Sequence, residues 1–255
     1  MTLFRGIVLF VVVLAAGLVL KMPIGLFLND SGRIGPVQLF DVQGTVWSGR
    51  AAGVQFQDER IESITWDVKP LHLLLGQARA HIQFNYLDGQ GALDASVSLG
   101  QTAQIENASY RAPADNFAQH FGKGFFGLEG DVELQIDQLT YPLNSQYVED
   151  AKGFVYWQKA GASYPMAGRV GNVSIELQQQ AGGDGNNGPL VATLSNQGGE
   201  LSIDGKATIN AARQYTANIT LKPTAQITSA TQGALDSALR ADNQGNYHFR
   251  RQGRL

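Results

Sequence analysis

Apolar and polar positions follow two regimes along this chain. Residues 6–20, GIVLFVVVLAAGLVL, form its one continuous apolar run. After it, apolar residues alternate with polar ones at a period of two, the spacing that sends successive side chains to opposite faces of a strand. Val37 and Leu39 flank Gln38, and Ile64, Trp66 and Val68 alternate with Thr65 and Asp67. Residues 80–86 and 93–99 alternate cleanly about an Asp88-Gly89 turn signal. Val132, Leu134 and Ile136 continue the pattern, followed by residues 155–157 and by Val173, Ile175 and Leu177. Ala192 and Leu194, Leu201 and Ile203, Ala207 and Ile209, and Tyr215 through Leu221 complete it, with a short last strand at residues 247–249. Helices are few and short: one capped by Asp115 and ended by Gly122, and one capped by Ser229 that carries Leu235 and Leu239. Residues 71–75, with four leucines between Pro70 and Gly76, read as a one-turn plug over a sheet edge. Residues 178–188 read as a polar, glycine-rich loop.

The apolar run predicts a membrane anchor, carried by Gly6, Ile7, Phe10, Leu14, Leu18 and Leu20. Fifteen residues fall short of the ~20 that span hydrocarbon. Leu3 and Phe4 lengthen the run on one side; Met22, Ile24 and Leu26 lengthen it on the other, with Lys21 snorkelling. No small-x-small cleavage site follows it, which favours a retained anchor over a cleaved signal peptide. A short untranslocated head and a large exported body give an N-terminus in the cytoplasm.

Composition narrows the function. With 16% charged residues and a formal net charge of −3, the body lacks the basic stripe that nucleic acid requires. The absence of cysteine removes disulfides, thiolate nucleophiles and cysteine–zinc sites. His72, His81, His120 and His248 have no ligand partner at helical or strand spacing. There is no Gly-x-Ser-x-Gly elbow. Residues 183–188 match G-x-G-x-x-G literally but precede Pro189 and a strand, whereas a dinucleotide fingerprint opens a helix. No catalytic residue, metal or cofactor is therefore expected. Trp47, Trp66 and Trp157, all in or beside strands, are the candidate structural or interface residues.

A weak internal repeat joins Asp41-x-x-Gly44-x-Val46-Trp47 to Asp150-x-x-Gly153-x-Val155-Tyr156, and the strand at Leu93 to that at Leu201. The expected architecture is mainly β: a single transmembrane helix, then a curved antiparallel sheet or open sandwich of two similar halves with short plugging helices. The expected divisions are an anchor at 1–28, a first periplasmic β unit at 29–140 and a second at 141–255.

Three stretches carry a resemblance: Gly44-Thr-Val-Trp-Ser-Gly49, Ile64-Thr-Trp66, and Pro70-Leu-His-Leu-Leu-Leu-Gly76. Together with residues 205–210, 215–223 and the closing Gly245-Asn-Tyr-His-Phe, they resemble the type II secretion system protein N family. The resemblance implies an inner-membrane accessory component with a periplasmic body, other secretion subunits and inner-membrane lipid as partners, and no enzymatic activity. The same β pattern is similar to AsmA-type periplasmic groove proteins, which implies the alternative of a lipid or hydrophobic ligand held in a β groove.

Overall fold

The computed structural model describes residues 21–28, 32–122, 127–144, 147–164, 168–182 and 187–254. The anchor residues Gly6, Ile7, Phe10, Leu14, Leu18 and Leu20 lie outside them. Among the described residues no helix is long and apolar enough to cross a membrane. The chain is mainly β, with antiparallel sheets and few helices, and divides into two compact units, Met1–Tyr86 and Leu87–Leu255.

The first unit interleaves two sheets. Its strands are β1 (Arg33–Ile34), β2 (Val37–Phe40), β3 (Gln43–Gly44), β4 (Ser48–Ala51), β5 (Gly53–Phe56), β6 (Glu59–Ile61), β7 (Ser63–Val68) and β8 (Gln77–Tyr86). One sheet has the order β1-β2-β5-β6; β3, β4, β7 and β8 are neighbours in the other. The chain changes sheets at Ala52, whose N–H donates to the Phe40 carbonyl. The residues on either side are small or apolar and buried: Ala51, Gly53 and Val54. Burial there suits a crossing from an interior strand of one sheet to an interior strand of the other, because no polar side chain has to be satisfied.

The second unit is a meander. It runs β9 (Gly89–Ser98), β10 (Thr102–Pro113), α1 (Ala114–Gly122), β11 (Gly127–Pro142), β12 (Asp150–Tyr164), β13 (Gly168–Ala181), β14 (Asn187–Gln197), β15 (Leu201–Ile209), β16 (Gln214–Pro223), α2 (Ser229–Ala238) and β17 (Tyr247–Arg254). Each strand pairs antiparallel with the next, so spatial order equals sequence order. The register places one apolar row across eight strands: Tyr110, Leu134, Val155, Ile175, Leu194, Gly205, Ile219 and Phe249. One residue along, the row reads Tyr156, Ser174, Ser195, Asp204, Thr220 and His248. Alternation in the sequence thus becomes two chemically distinct faces, and a one-residue slip in any strand would exchange them.

Both α-helices lie against this sheet. Phe117 of α1 meets Tyr110 edge-on, with centroids 6.0 Å apart, and Ala112, Ala114 and Ala118 are buried around them. Leu235 of α2 packs with Leu201 and Tyr247, supported by Ile203, Leu221, Ile227 and Leu239.

Several expectations need correction. Ser229 is the first residue of α2 rather than its cap; Thr228 holds that place, and its side chain accepts from the Thr231 N–H. Asp115 stands inside the first turn of α1, where a carboxylate complements the helix dipole, and accepts from the Gln119 amide at 2.5 Å. Residues 178–181 are strand, not loop: Gln178 and Gln179 pair with Val191 and Leu190. Tyr147 holds them there, its hydroxyl accepting from the Leu190 N–H and donating to the Ile209 carbonyl. The last strand does not end at Phe249 but continues to Arg254. At the two places matched by the repeat, local structure differs: Gly44 ends a two-residue strand at φ +101, whereas Gly153 lies inside β12.

Candidate interaction surface

The stretch Gly44-Thr-Val-Trp-Ser-Gly49 is the β3–β4 hairpin. Thr45 knots it: its N–H donates to the Ser48 carbonyl, and its hydroxyl oxygen accepts from the N–H groups of Trp47 and Ser48. Gly44 has φ +101, and a Cβ on it would lie 2.5 Å from the Ser48 carbonyl oxygen, so a side chain is excluded on both counts. Gly49 serves a different purpose. It faces Trp66 on β7, and the indole comes so close that a Cβ on Gly49 would overlap the ring. From there the Trp66 Nε1–H reaches the Thr45 carbonyl at 3.1 Å. A glycine under an aromatic ring on the neighbouring strand lets the ring cover bare backbone; Tyr215 over Gly253 does the same between β16 and β17.

Beside this clamp lies an open cleft of about 480 Å³, lined by Gln43, Arg50, Trp66, Asp67, His81 and Gln83 among others. Its polar groups largely satisfy one another. The Arg50 guanidinium donates to Gln43 Oε1 at 2.7 Å, Asp67 pairs with Lys69 at 2.5 Å, and His81 meets the Gln83 amide at 3.3 Å. Among the described residues no group of three or more His, Asp or Glu is placed to hold a metal ion.

The three tryptophans divide between the units. Trp47 is in the β3–β4 hairpin and Trp66 bonds to that hairpin through Thr45, whereas Trp157 is on β12, where its Nε1–H donates to the Glu129 carbonyl at 2.8 Å. All three are half-buried. Of the histidines, His248 is paired: its ring lies 2.8 Å from Asp242 and 3.3 Å from Thr220. That bond, with the N–H groups of Asn246 and Gln244, holds the Asp242 carboxyl well below its ordinary pKa.

Two surfaces stand out that alternation did not announce. The first is the turn Pro70–Leu75. It forms as expected, a 3-10 helix closed by Gly76 at φ +74, but it does not bury its leucines. Leu71, Leu74 and Leu75 are 75%, 84% and 77% exposed, and Leu73 is 44% exposed. The second is β17, at the end of its sheet. Among the described residues no strand pairs with its outer side. Arg250, Arg251 and Arg254 stud it, a charge pattern that discourages indiscriminate strand addition.

One acidic group is buried without any pattern in the sequence to mark it. Glu200 is only 5% exposed. Its carboxylate accepts from the hydroxyls of Thr231 and Thr228 at 2.5 and 2.8 Å, and from the N–H groups of Thr228 and Arg169. These bonds, the Thr231 hydroxyl foremost, pull its pKa from 4.5 down to about 2 against the opposing effect of burial. The Thr-x-x-Thr spacing at the start of α2 was a legible signal for a cap; the carboxylate that reaches it comes from 28 residues earlier and was not.

The molecule is thus an antiparallel β-sheet protein that presents an open strand edge, an apolar leucine turn and a tryptophan-clamped hairpin. Comparison with known proteins gives its family: type II secretion system (T2SS), protein N, matches residues 35–250, and the chain belongs to that family. It is 26% identical to the type II secretion system protein N of Vibrio cholerae serotype O1, over 97% of this chain and 96% of that one. It is 25% identical to the protein of the same name from Aeromonas hydrophila, over 86% and 85% of the two chains. No solved structure matches it.

Proposed function

We propose that this chain is an accessory component of type II secretion, held at the inner membrane by residues 6–20 with its N-terminus in the cytoplasm and its β body in the periplasm. It acts by contact with other secretion subunits in the export of folded proteins, and not by catalysis. The observation that carries this reading is the family match across residues 35–250, which includes the hairpin clamp, the leucine turn and nearly all of the second unit. The chemistry of the cleft agrees with it: the charged and amide groups there are engaged with one another instead of converging on a point where a reacting atom would sit. The test is deletion of the chain in its own host, with secretion of a folded exoprotein as readout. Loss of secretion restored by the full chain, and co-purification of secretion subunits with it, is the expected result. Unchanged secretion with no subunit co-purifying would overturn the reading.

A second reading is favoured by one observation. The apolar row from Tyr110 to Phe249 is half-buried along most of its length, and among the described residues of that unit no second sheet covers it. Such a face suits a lipid or other hydrophobic ligand, as an alternative or an addition to subunit contact.

A further inference from the structure

The leucine turn belongs to the same end of the first unit as the point where the apolar run enters it. Met22 and Pro23 are the first described residues after Lys21. The Val46 N–H donates to the Met22 carbonyl at 3.1 Å, and Pro23 bridges Thr45. The chain is therefore fastened to the β3–β4 hairpin two residues after Leu20, a reach of at most ~7 Å. One residue on from Val46, the Trp47 carbonyl accepts from the N–H of Val68, the last residue of β7. Pro70 then opens the turn, and the Lys69 N–H returns to the Arg79 carbonyl on β8. From Val68 to Leu71 is three residues, ~10 Å at full extension. Met22, the hairpin and Val68, three residues before Leu71, are thus tied together by backbone hydrogen bonds.

We propose that the Pro70–Leu75 turn is a second membrane contact, its leucines lying in the headgroup–acyl boundary of the bilayer that residues 6–20 occupy. This rests on the anchoring proposed above. The occupant follows from where the apolar run ends: a span that stops at Leu20 and is bonded to the hairpin at Met22 leaves no linker to lift this end of the unit off the membrane. Two further observations fit lipid. Leu26 and Phe27, in the 3-10 turn Ile24–Phe27 just past the fastening, are 69% and 50% exposed. Lys21 precedes the first apolar turn and Lys69, paired with Asp67, the second, as cations flank apolar segments at a headgroup layer, and half-buried Trp47 belongs to the hairpin to which Met22 is bonded. The turn is too short to span and too exposed to serve the core.

The chain has no cysteine, which allows a single-label test on the full protein. Leu74→Cys and, as companion, Glu62→Cys each receive an NBD fluorophore, and the proteins are reconstituted into vesicles of phosphatidylethanolamine and phosphatidylglycerol. Glu62 is exposed and precedes β7 at its far end, ~20 Å from Val68 along the strand. Leu74 is exposed enough that its replacement takes nothing from the core. The expected result is flotation with the vesicles, a blue shift of the Leu74→Cys label, its quenching by nitroxide carried on shallow acyl positions, and neither change for Glu62→Cys. Flotation with identical, water-like spectra for the two labels would overturn the leucine contact while leaving the anchor standing. A blue shift without quenching by lipid-borne nitroxide would place another protein surface on the leucines and overturn it too. Failure of the full chain to float would overturn the anchor, and this contact with it.

Discussion

At the scale of single residues, the first unit is specified by what is absent from two side chains and the second by what one side chain holds. Gly44 and Gly49 leave room for a carbonyl and an indole. Glu200 gathers the helix start at Thr228, the Thr231 hydroxyl and the Arg169 N–H. Its depressed pKa sets a pH dependence with a definite sign. A carboxyl that ionises more readily folded than unfolded binds fewer protons in the folded state. Its stabilisation is therefore complete above the ordinary value of 4.5 and is lost as pH falls toward about 2. Urea unfolding at neutral pH and at about pH 3 measures this. Glu200→Gln removes that share of the acid sensitivity and costs about 1–3 kcal/mol at neutral pH, because the amide cannot accept all the donors that converge on the carboxylate. A variant as acid-sensitive as the native chain would show that other carboxyls carry the effect.

At the scale of elements, the β3–β4 hairpin and β7 act as one clamp. Gly49→Ala puts a methyl where the Trp66 ring lies and moves the indole off the Thr45 carbonyl. The expected cost is about 1–3 kcal/mol, the range for overpacking a close contact, with a red-shifted, more accessible tryptophan emission in the variant. An unchanged unfolding midpoint would mean that the ring has room to shift. Elements were also where the sequence was most and least legible. Strands such as residues 80–86 and 215–221 were plain, because each turns one apolar face inward and period two survives intact. Strand β10 was not read, since Gln104, Glu106, Asn107 and Ser109 blur the alternation. Asn107 sits at φ +51, where the register against β9 shifts, so the face changes in mid-strand. The glutamines of β13 read as loop by preference, yet a ladder on one side and the Tyr147 hydroxyl at the turn outweigh preference. The leucine turn was placed correctly and its environment was not. Four leucines in five residues imply burial, yet the protein leaves them outside.

At the scale of the whole molecule, the apolar row across the second unit is the feature on which the two functional readings part. Native mass spectrometry of the chain purified from membranes, released from detergent under mild activation, addresses it. If the row holds lipid, adducts of phospholipid mass persist after excess detergent lipid is stripped. Ile175→Asp and Ile219→Asp, which put carboxylates in the middle of the row, abolish them. A chain that carries no such adducts under conditions that preserve its fold leaves subunit contact as the sole reading. The candidate surfaces were partly visible beforehand: the hairpin motif and Trp66 stood out as residues, whereas the cleft beside them draws on four strands whose register no sequence pattern states.

The meander of the second unit has a consequence for how the protein comes to be folded. From β9 to β17 each strand lies beside the one made just before it, so partners are separated by a short connection except where α1 precedes β11 and α2 precedes β17. Loop closure is then a repeated small cost in place of one large one, the condition for rapid assembly of a sheet. As the chain emerges from its N-terminal end, every new strand meets a partner already in place, and the sheet advances as a growing front with one live edge. That edge is open to mispairing at every stage. Among the described residues that edge is β17, and its three arginines place charge where a further, unwanted strand would add.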